Sequence, residues 1–365
     1  MKVRAPDLTL LCVLLTLLGV GIVMVFSASS VESLAAVGNP YYFLIRQAIW
    51  ACLGLVAMVM LMNYPLERIR RLARPFAMLT GFLLLAVLVP HVGKEIQGAR
   101  RWIGVGSLVL QPSEMAKLAL VLLFADTLSR PEAQPQSFMK GVLPHLGWIL
   151  LAGGLIMLEP DLGTALCIGG TGILMLWVAG AQTGQILGVG ALGVPAIGLL
   201  ILVEPYRLKR LLAFLHPQKD PLGSGYHIIQ SLYALGSGGL FGQGLGRSSL
   251  KYFYLPEQHT DFIFAVLGEE LGFLGALAVV VLFFIVGWRG IRTAVLAPDR
   301  FSSLLAAGLT TMILLQAFLN IAVVTASMPI TGVPLPFISY GGSSLVFTLA
   351  GAGLLLNVSR HVRES

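Results

Sequence analysis

Apolar residues arrive in this chain in long blocks, separated by short stretches rich in charge, proline and glycine. A helix needs roughly 20 mostly apolar residues to cross the hydrocarbon core of a bilayer, and blocks of that length are what the pattern supplies. They predict ten transmembrane helices, near residues 8–28, 42–62, 72–90, 112–129, 141–158, 162–180, 184–203, 261–288, 303–328 and 339–359. The first block follows Lys2 and Arg4 and ends in Phe26-Ser27-Ala28-Ser29, the outline of a secretory signal. Its apolar run is too long for a cleaved signal and reads as a retained anchor helix. The expected fold is all-α and polytopic, one membrane domain over residues 1–365, with a long extracytoplasmic loop over 204–260 between helices 7 and 8.

Composition agrees with that picture. Of 365 residues, 56% are hydrophobic and 11% charged, against about 25% charged in soluble domains. Cys12, Cys52 and Cys167 all fall in apolar blocks, too scattered for a disulfide framework or a metal knot. A net charge of +7 would point to nucleic acid in a soluble protein. In a membrane chain it reflects lysines and arginines facing anionic lipid, so no nucleic-acid partner is expected.

The placement of those cations orients the bundle. With the N-terminus inside, thirteen fall on the cytoplasmic side: Lys2, Arg4, Arg68, Arg70, Arg71, Arg74, Arg130, Lys140, Arg289, Arg292, Arg300, Arg360 and Arg363. The positive-inside rule then puts both termini in the cytoplasm. Carboxylates run the other way, so the chemistry is sought at the outer face. Three outer segments are longer than a connector needs: 91–113, 204–260 and 328–344. Within the second, Tyr206 to Leu215 alternates cations with leucines as an interfacial amphipathic helix does.

Ionisable residues at membrane depth are costly and therefore informative. Glu114 and Lys117 open the fourth helix three residues apart, spaced to pair on one face. They form either a structural salt bridge or a site where the lysine also neutralises a substrate phosphate. In the turn Glu159-Pro160-Asp161-Leu162-Gly163-Thr164, Asp161 caps the sixth helix, or the carboxylate pair Glu159 and Asp161 binds a cation or a sugar hydroxyl. Arg100 and Arg101, beside Trp102, clamp phosphate oxygens or anchor the interface, and Arg46 contacts substrate or snorkels. Asp261 follows Leu255-Pro256-Glu257-Gln258-His259-Thr260 at the outer membrane boundary, a good place for a general base; a helix-capping role is the alternative. Glu269 and Glu270 lie deeper, where at least one is expected to be paired. The glycine run from Gly236 to Gly246 follows no strand, so it is not a nucleotide loop; it would let backbone approach a sugar or diphosphate closely.

Together these motifs resemble the SEDS family (shape, elongation, division and sporulation) over nearly the whole chain. The resemblance rests on Phe26-Ser27-Ala28-Ser29-Ser30, Gly98-Ala99-Arg100-Arg101-Trp102-Ile103, Gln111-Pro112-Ser113-Glu114 with Lys117, and Glu159 to Thr164. It continues through Pro256 to Ala265, Gly268-Glu269-Glu270-Leu271-Gly272-Phe273, and Leu335-Pro336-Phe337-Ile338-Ser339-Tyr340-Gly341-Gly342-Ser343-Ser344. The Arg-Arg pair, Gly268 and Phe337-Ile338 look more like the family's division branch than its elongation branch. One departure is visible: Ala322 and Ala326 stand where the family leads one to expect glycines.

The resemblance implies a ten-helix peptidoglycan glycosyltransferase of the bacterial cytoplasmic membrane that polymerises lipid II into glycan strands and releases undecaprenyl pyrophosphate. It makes Asp261 the catalytic residue and puts Glu114, Lys117 and Asp161 in a polar central cavity. It implies a class B penicillin-binding transpeptidase as partner, with other division or elongation membrane proteins. No dedicated metal cage is evident; a magnesium or manganese ion shared by a carboxylate and the diphosphate is the cofactor to consider. A lipid II flippase and a non-catalytic division scaffold are the competing readings.

Overall fold

The computed structural model describes residues 5–96, 98–105, 108–248 and 258–362. The Leu255-Pro256-Glu257 part of the motif before Asp261, and Lys2, Arg4 and Arg363, lie outside them. Helices are α1 (Leu8–Val37), α2 (Tyr42–Asn63), α3 (Leu66–Leu88), α4 (Pro112–Leu128), α5 (Leu143–Leu158), α6 (Leu162–Val178) and α7 (Thr183–Val203), followed by α8 (Pro205–Leu215), α9 (Tyr226–Ser237), α10 (Ile263–Val295), α11 (Arg300–Val324) and α12 (Gly342–Ser359). Among the described residues eight helices are long and apolar enough to span a bilayer, α5 counting with the π turn before it, and α6 is a shorter apolar helix. With α4, these stand at the ten predicted positions. The segment after α7 is not extended coil: α8 is the predicted amphipathic helix, and α9 returns to the bundle.

α1 runs well past its expected end, and α10 is interrupted within its span. Hydrophobicity fades at Ser27-Ala28-Ser29, but Ser29 Oγ donates to Val25 O (2.6 Å), so its polarity is satisfied within the helix. α1 ends only at Gly38, whose φ of 75° makes the left-handed cap. α10 is broken at Gly272 (φ 70°, ψ −171°). Backbone from the glycine segment fills the gap: Gln243 N donates to Glu269 O (3.0 Å), Gly244 N to Glu270 O (3.0 Å), and Phe273 N to Gly239 O (2.8 Å). Irregular backbone at membrane depth survives only when protein satisfies it in this way. A Cβ on Gly242 would stand 2.2 Å from Glu270 O, so the glycine run serves close approach to α10 rather than to a sugar.

α4 is the central column, with every residue from Pro112 to Asp126 buried. α3, α6, α11 and α12 pack around it. α7 lies at the other extreme, burying none of its residues. The all-helical expectation misses one element. The segment before α4 folds as a three-stranded antiparallel meander of β1 (Gly93–Ile96), β2 (Ala99–Val105) and β3 (Leu108–Leu110).

The bundle has two chemically distinct ends. Asp7 N donates to Ser359 Oγ (3.1 Å) and Arg289 Nε to Asp7 (2.6 Å), so both terminal helices share one end. Asp126 there receives Arg70 (3.1 Å), Arg74 (3.4 Å) and Arg130 (2.7 Å). The opposite end carries the sheet, the 159–161 turn, residues 258–262 and the loop between α11 and α12.

Candidate active site

At that opposite end three carbonyls in succession are clamped. Tyr340 N donates to His259 O (2.9 Å), Ser339 Oγ to Thr260 O (2.6 Å), and Asn320 Nδ2 to Asp261 O (2.8 Å). These bonds zip the residues before α10 onto the loop before α12, which explains the Ser-Tyr pair of the Leu335–Ser344 motif. Asp261 is half-buried. The cap of α10 is Phe262, with no side-chain capping bond, so capping is not the role of Asp261 or Thr260. A Cβ on Gly332 would stand 3.5 Å from Asp261 Oδ2, which places the carboxylate against the bare backbone of the 331–333 segment.

The other face of that segment meets the start of α6. A Cβ on Gly163 would lie 2.4 Å from Val333 and 2.6 Å from Thr331 O. Asp161 caps α6, accepting from Thr164 N (2.9 Å) and Thr164 Oγ1 (2.9 Å), and also takes Gln111 Nε2 (3.4 Å). Asp161 and Asp261 thus flank one strip of backbone.

Arg101 reaches down from β2. Its guanidinium donates to Glu159 O (2.7 Å) and Pro160 O (2.5 Å) and lies 3.9 Å from Asp161 Oδ2. Glu159, the other carboxylate of the pair in this turn, is the most unusual group here. It is fully buried, and neither carboxylate oxygen has a hydrogen-bond partner among the described residues. Burial pushes its pKa up to about 8, the Asp161 charge adds to the rise and Arg101 opposes it.

Glu114 and Lys117 pair inside the bundle (3.0 Å) and Lys117 Nζ also donates to Gln316 Oε1 (2.6 Å). Both side chains are almost fully buried. Gln316 Nε2 in turn donates to Pro334 O (2.9 Å), which ties the ion pair to the same loop. Arg46 stacks over Tyr42 (4.7 Å); burial holds the Tyr340 phenol above its usual pKa, with the Arg46 charge opposing the rise. Arg100 is not brought to this cluster: it pairs with Glu95 across the exposed sheet (3.3 Å). Glu270 is bound by Ser27 Oγ (2.6 Å) and Glu269 by Ser248, so both deep glutamates serve the docking of α1 and the glycine segment onto α10.

A family model described as cell cycle protein, FTSW_RODA_SPOVE, matches residues 8–364. The chain belongs to this FtsW/RodA/SpoVE family. Stage V sporulation protein E of Bacillus subtilis (strain 168) is 47% identical over 362 residues, 99% of each chain. A protein named probable peptidoglycan glycosyltransferase FtsW, from Trichlorobacter lovleyi, is 43% identical over 98% of this chain and 94% of its own. Among solved structures, RodA of Thermus thermophilus superposes with a TM-score of 0.73 at 31% identity, covering 99% of both chains. A chain from a structure on the coordination of polymerization and crosslinking by a peptidoglycan synthase complex reaches 0.80 at 33% identity, covering 98% of both. The relatives named FtsW fit the resemblance to the division branch that Arg100-Arg101, Gly268 and Phe337-Ile338 led one to expect, and the sporulation protein is a further relative that those motifs did not single out.

Proposed function

We propose that this chain is a peptidoglycan glycosyltransferase that polymerises lipid II with inversion at the anomeric carbon, and that Asp261 is its general base. The observation that carries this reading is the triple carbonyl clamp at residues 259–261, which holds one half-buried carboxylate in fixed register at the acidic end of a membrane bundle. A group held in that way needs little reorganisation when the reaction occurs.

In the step envisaged, Asp261 takes the proton of the acceptor sugar's 4-hydroxyl as that oxygen attacks the donor's anomeric carbon. A glycosidic C–O bond forms. The bond from that carbon to the diphosphate breaks, and undecaprenyl pyrophosphate leaves with the electron pair. The partly exposed guanidinium of Arg101, the guanidinium of Arg210, which donates to Ile330 O (3.2 Å), and the ammonium of Lys117, already paired with Glu114, are cations at this end that would meet the diphosphate charge. A magnesium or manganese ion fits only as a companion of the diphosphate. The oxygens of Asp161 are already taken by Thr164, Gln111 and Arg101, and among the described residues no three metal-ligating side chains gather.

The arginines gathered at the terminal end support a cytoplasmic placing of that end, and therefore an outer placing of Asp261. The relative solved in a synthase complex supports a penicillin-binding transpeptidase as partner. The test is Asp261→Asn in liposomes given labelled lipid II, with and without such a partner. We expect chain formation to fall by about 100-fold or more, while lipid II still binds. Glycan chains formed at the parental rate would end the proposal, and lost lipid movement with intact polymerisation would favour the flippase.

A further inference from the structure

Gln316 and Asn320 sit one helical turn apart on α11, facing the 331–334 segment. Both are buried. Asn320 Nδ2 donates to Asp261 O (2.8 Å) and to Val333 O (2.8 Å). Two carbonyls leave no choice of orientation, because only the NH2 side of an amide can serve both. Among the described residues its own Oδ1 has no hydrogen-bond partner in the buried interior. A polar side chain kept there with half its capacity unused is being kept for its two donors. Gln316 repeats the device one turn earlier, accepting from Lys117 Nζ (2.6 Å) and donating to Pro334 O (2.9 Å).

We infer that Asn320 and Gln316 are positioning residues for the transfer reaction. Asn320 sets the height of the Asp261 carboxylate over the 331–333 backbone, and Gln316 sets the Glu114–Lys117 pair against the same segment. The inference rests on the reading of Asp261 as the base. Its geometry is specific. Tyr340 and Ser339 hold the carbonyls of residues 259 and 260 from the loop before α12, whereas Asn320 alone among the three clamps comes from a membrane helix. It therefore registers the aspartate to the bundle core, where a small shift of a reacting group is expensive in rate.

The experiment measures kcat and KM for lipid II polymerisation by the full chain with its transpeptidase partner. The variants are Asn320→Asp, Asn320→Ser, Gln316→Glu, Asp261→Asn and, as a packing control, Thr310→Val. Asn320→Asp keeps the shape but sets oxygen against two carbonyls; Asn320→Ser keeps one donor. Thr310 lies on the same helix, and its hydroxyl bonds only Ala306 O among the described residues (2.7 Å).

We expect Asn320→Asp to lower kcat about 100-fold with KM changed by less than about threefold. Asn320→Ser should fall between it and the parent, and Gln316→Glu should lose about tenfold. Thr310→Val should keep its kcat even where its melting temperature drops as far. Should Asn320→Asp fail to fold, the Asn320→Ser and Gln316→Glu values decide. An unchanged kcat in the Asn320 and Gln316 variants with Asp261→Asn inactive overturns the positioning role and leaves the base standing. Activity in Asp261→Asn removes the base, and this inference with it.

Discussion

The two ends of the bundle handle buried charge in opposite ways. At the terminal end one buried carboxylate, Asp126, is surrounded by three guanidiniums that are themselves 33%, 54% and 39% exposed. Every partner has water to fall back on. At the opposite end neither carboxylate oxygen of Glu159 has a hydrogen-bond partner among the described residues, Glu114 has one buried lysine, and the cation paired with Asp161 is Arg101 at 3.9 Å. Backbone strain follows the same division. Among the described residues the non-glycine positions with left-handed backbone are His91, Pro160, Ala326 and Phe337, and all four lie at the end with Asp261. Unmet polar capacity and local strain persist where surrounding structure over-determines them, and they collect at working sites. The terminal carboxylate is compensated by several partly solvated cations, whereas the carboxylates of the other end have few cations and share that end with the backbone strain, which is the distribution expected if catalysis belongs to the second.

The largest test removes one charge from each end's pairing. Lys117→Met leaves Glu114 uncompensated in the bundle, at a cost of about 3–5 kcal/mol. Asp126→Asn leaves three arginines that water can solvate, and should cost no more than about 1 kcal/mol. Glu114→Gln combined with Lys117→Met should recover most of the first loss, since no bare charge remains. Unfolding curves in detergent measure all three. A greater loss from Asp126→Asn than from Lys117→Met would erase the contrast between the ends.

Glu159 sharpens it next. Its native pKa of about 8 stands above the ordinary 4.5. Between those values the folded chain keeps a proton that the unfolded chain has released. Stability contributed by this group therefore falls as pH rises from about 4.5 to 8. Glu159→Gln carries no such loss. The variant should match the parent near pH 4.5 and exceed it by on the order of 4 kcal/mol at pH 8. Melting curves at pH 5 and pH 8 check this; a gap that stays constant across the range would mean that Glu159 is ionised and paired in the native state.

Much of this arrangement could be read from the sequence, and the exceptions have a common cause. Hydrophobic block length placed the ten membrane helices, because bilayer thickness is an external ruler that a sequence must meet. Motif polarity placed Asp161, Asp261 and Lys117 at one end for the same reason. Composition could not say that Ser29 would satisfy itself and carry α1 on to Gly38, or that the glycine segment would supply the bonds missing at Gly272. Those outcomes are decided by which donor meets which carbonyl. Asn320 and Gln316 were passed over because amides within an apolar block look like ordinary helix residues until their acceptors are known. Arg101 was recognised as a fork; its acceptors turned out to be the chain's own carbonyls at 159 and 160.

The smallest effect expected is at Ala326, and it bears directly on the strain half of the contrast. The family resemblance led to a glycine near this position, and the structure supplies the reason: Ala326 follows α11 with φ of 51°. A Cβ in that region costs roughly 1–2 kcal/mol, part of which a glycine would give back through its greater freedom in the unfolded chain. Ala326→Gly should therefore stabilise the protein by about 0.5–1 kcal/mol. At the terminal end the left-handed turn after α6 already has its glycine, Gly180 at φ 102°, so Gly180→Ala should destabilise by about 1–2 kcal/mol. Opposite signs at the two turns, read from melting temperatures, would show that tolerated strain belongs to one end only. If the relief at Ala326 also lowers kcat, the strained turn contributes to holding the 331–334 segment against Asp261. An unchanged kcat would confine its role to stability.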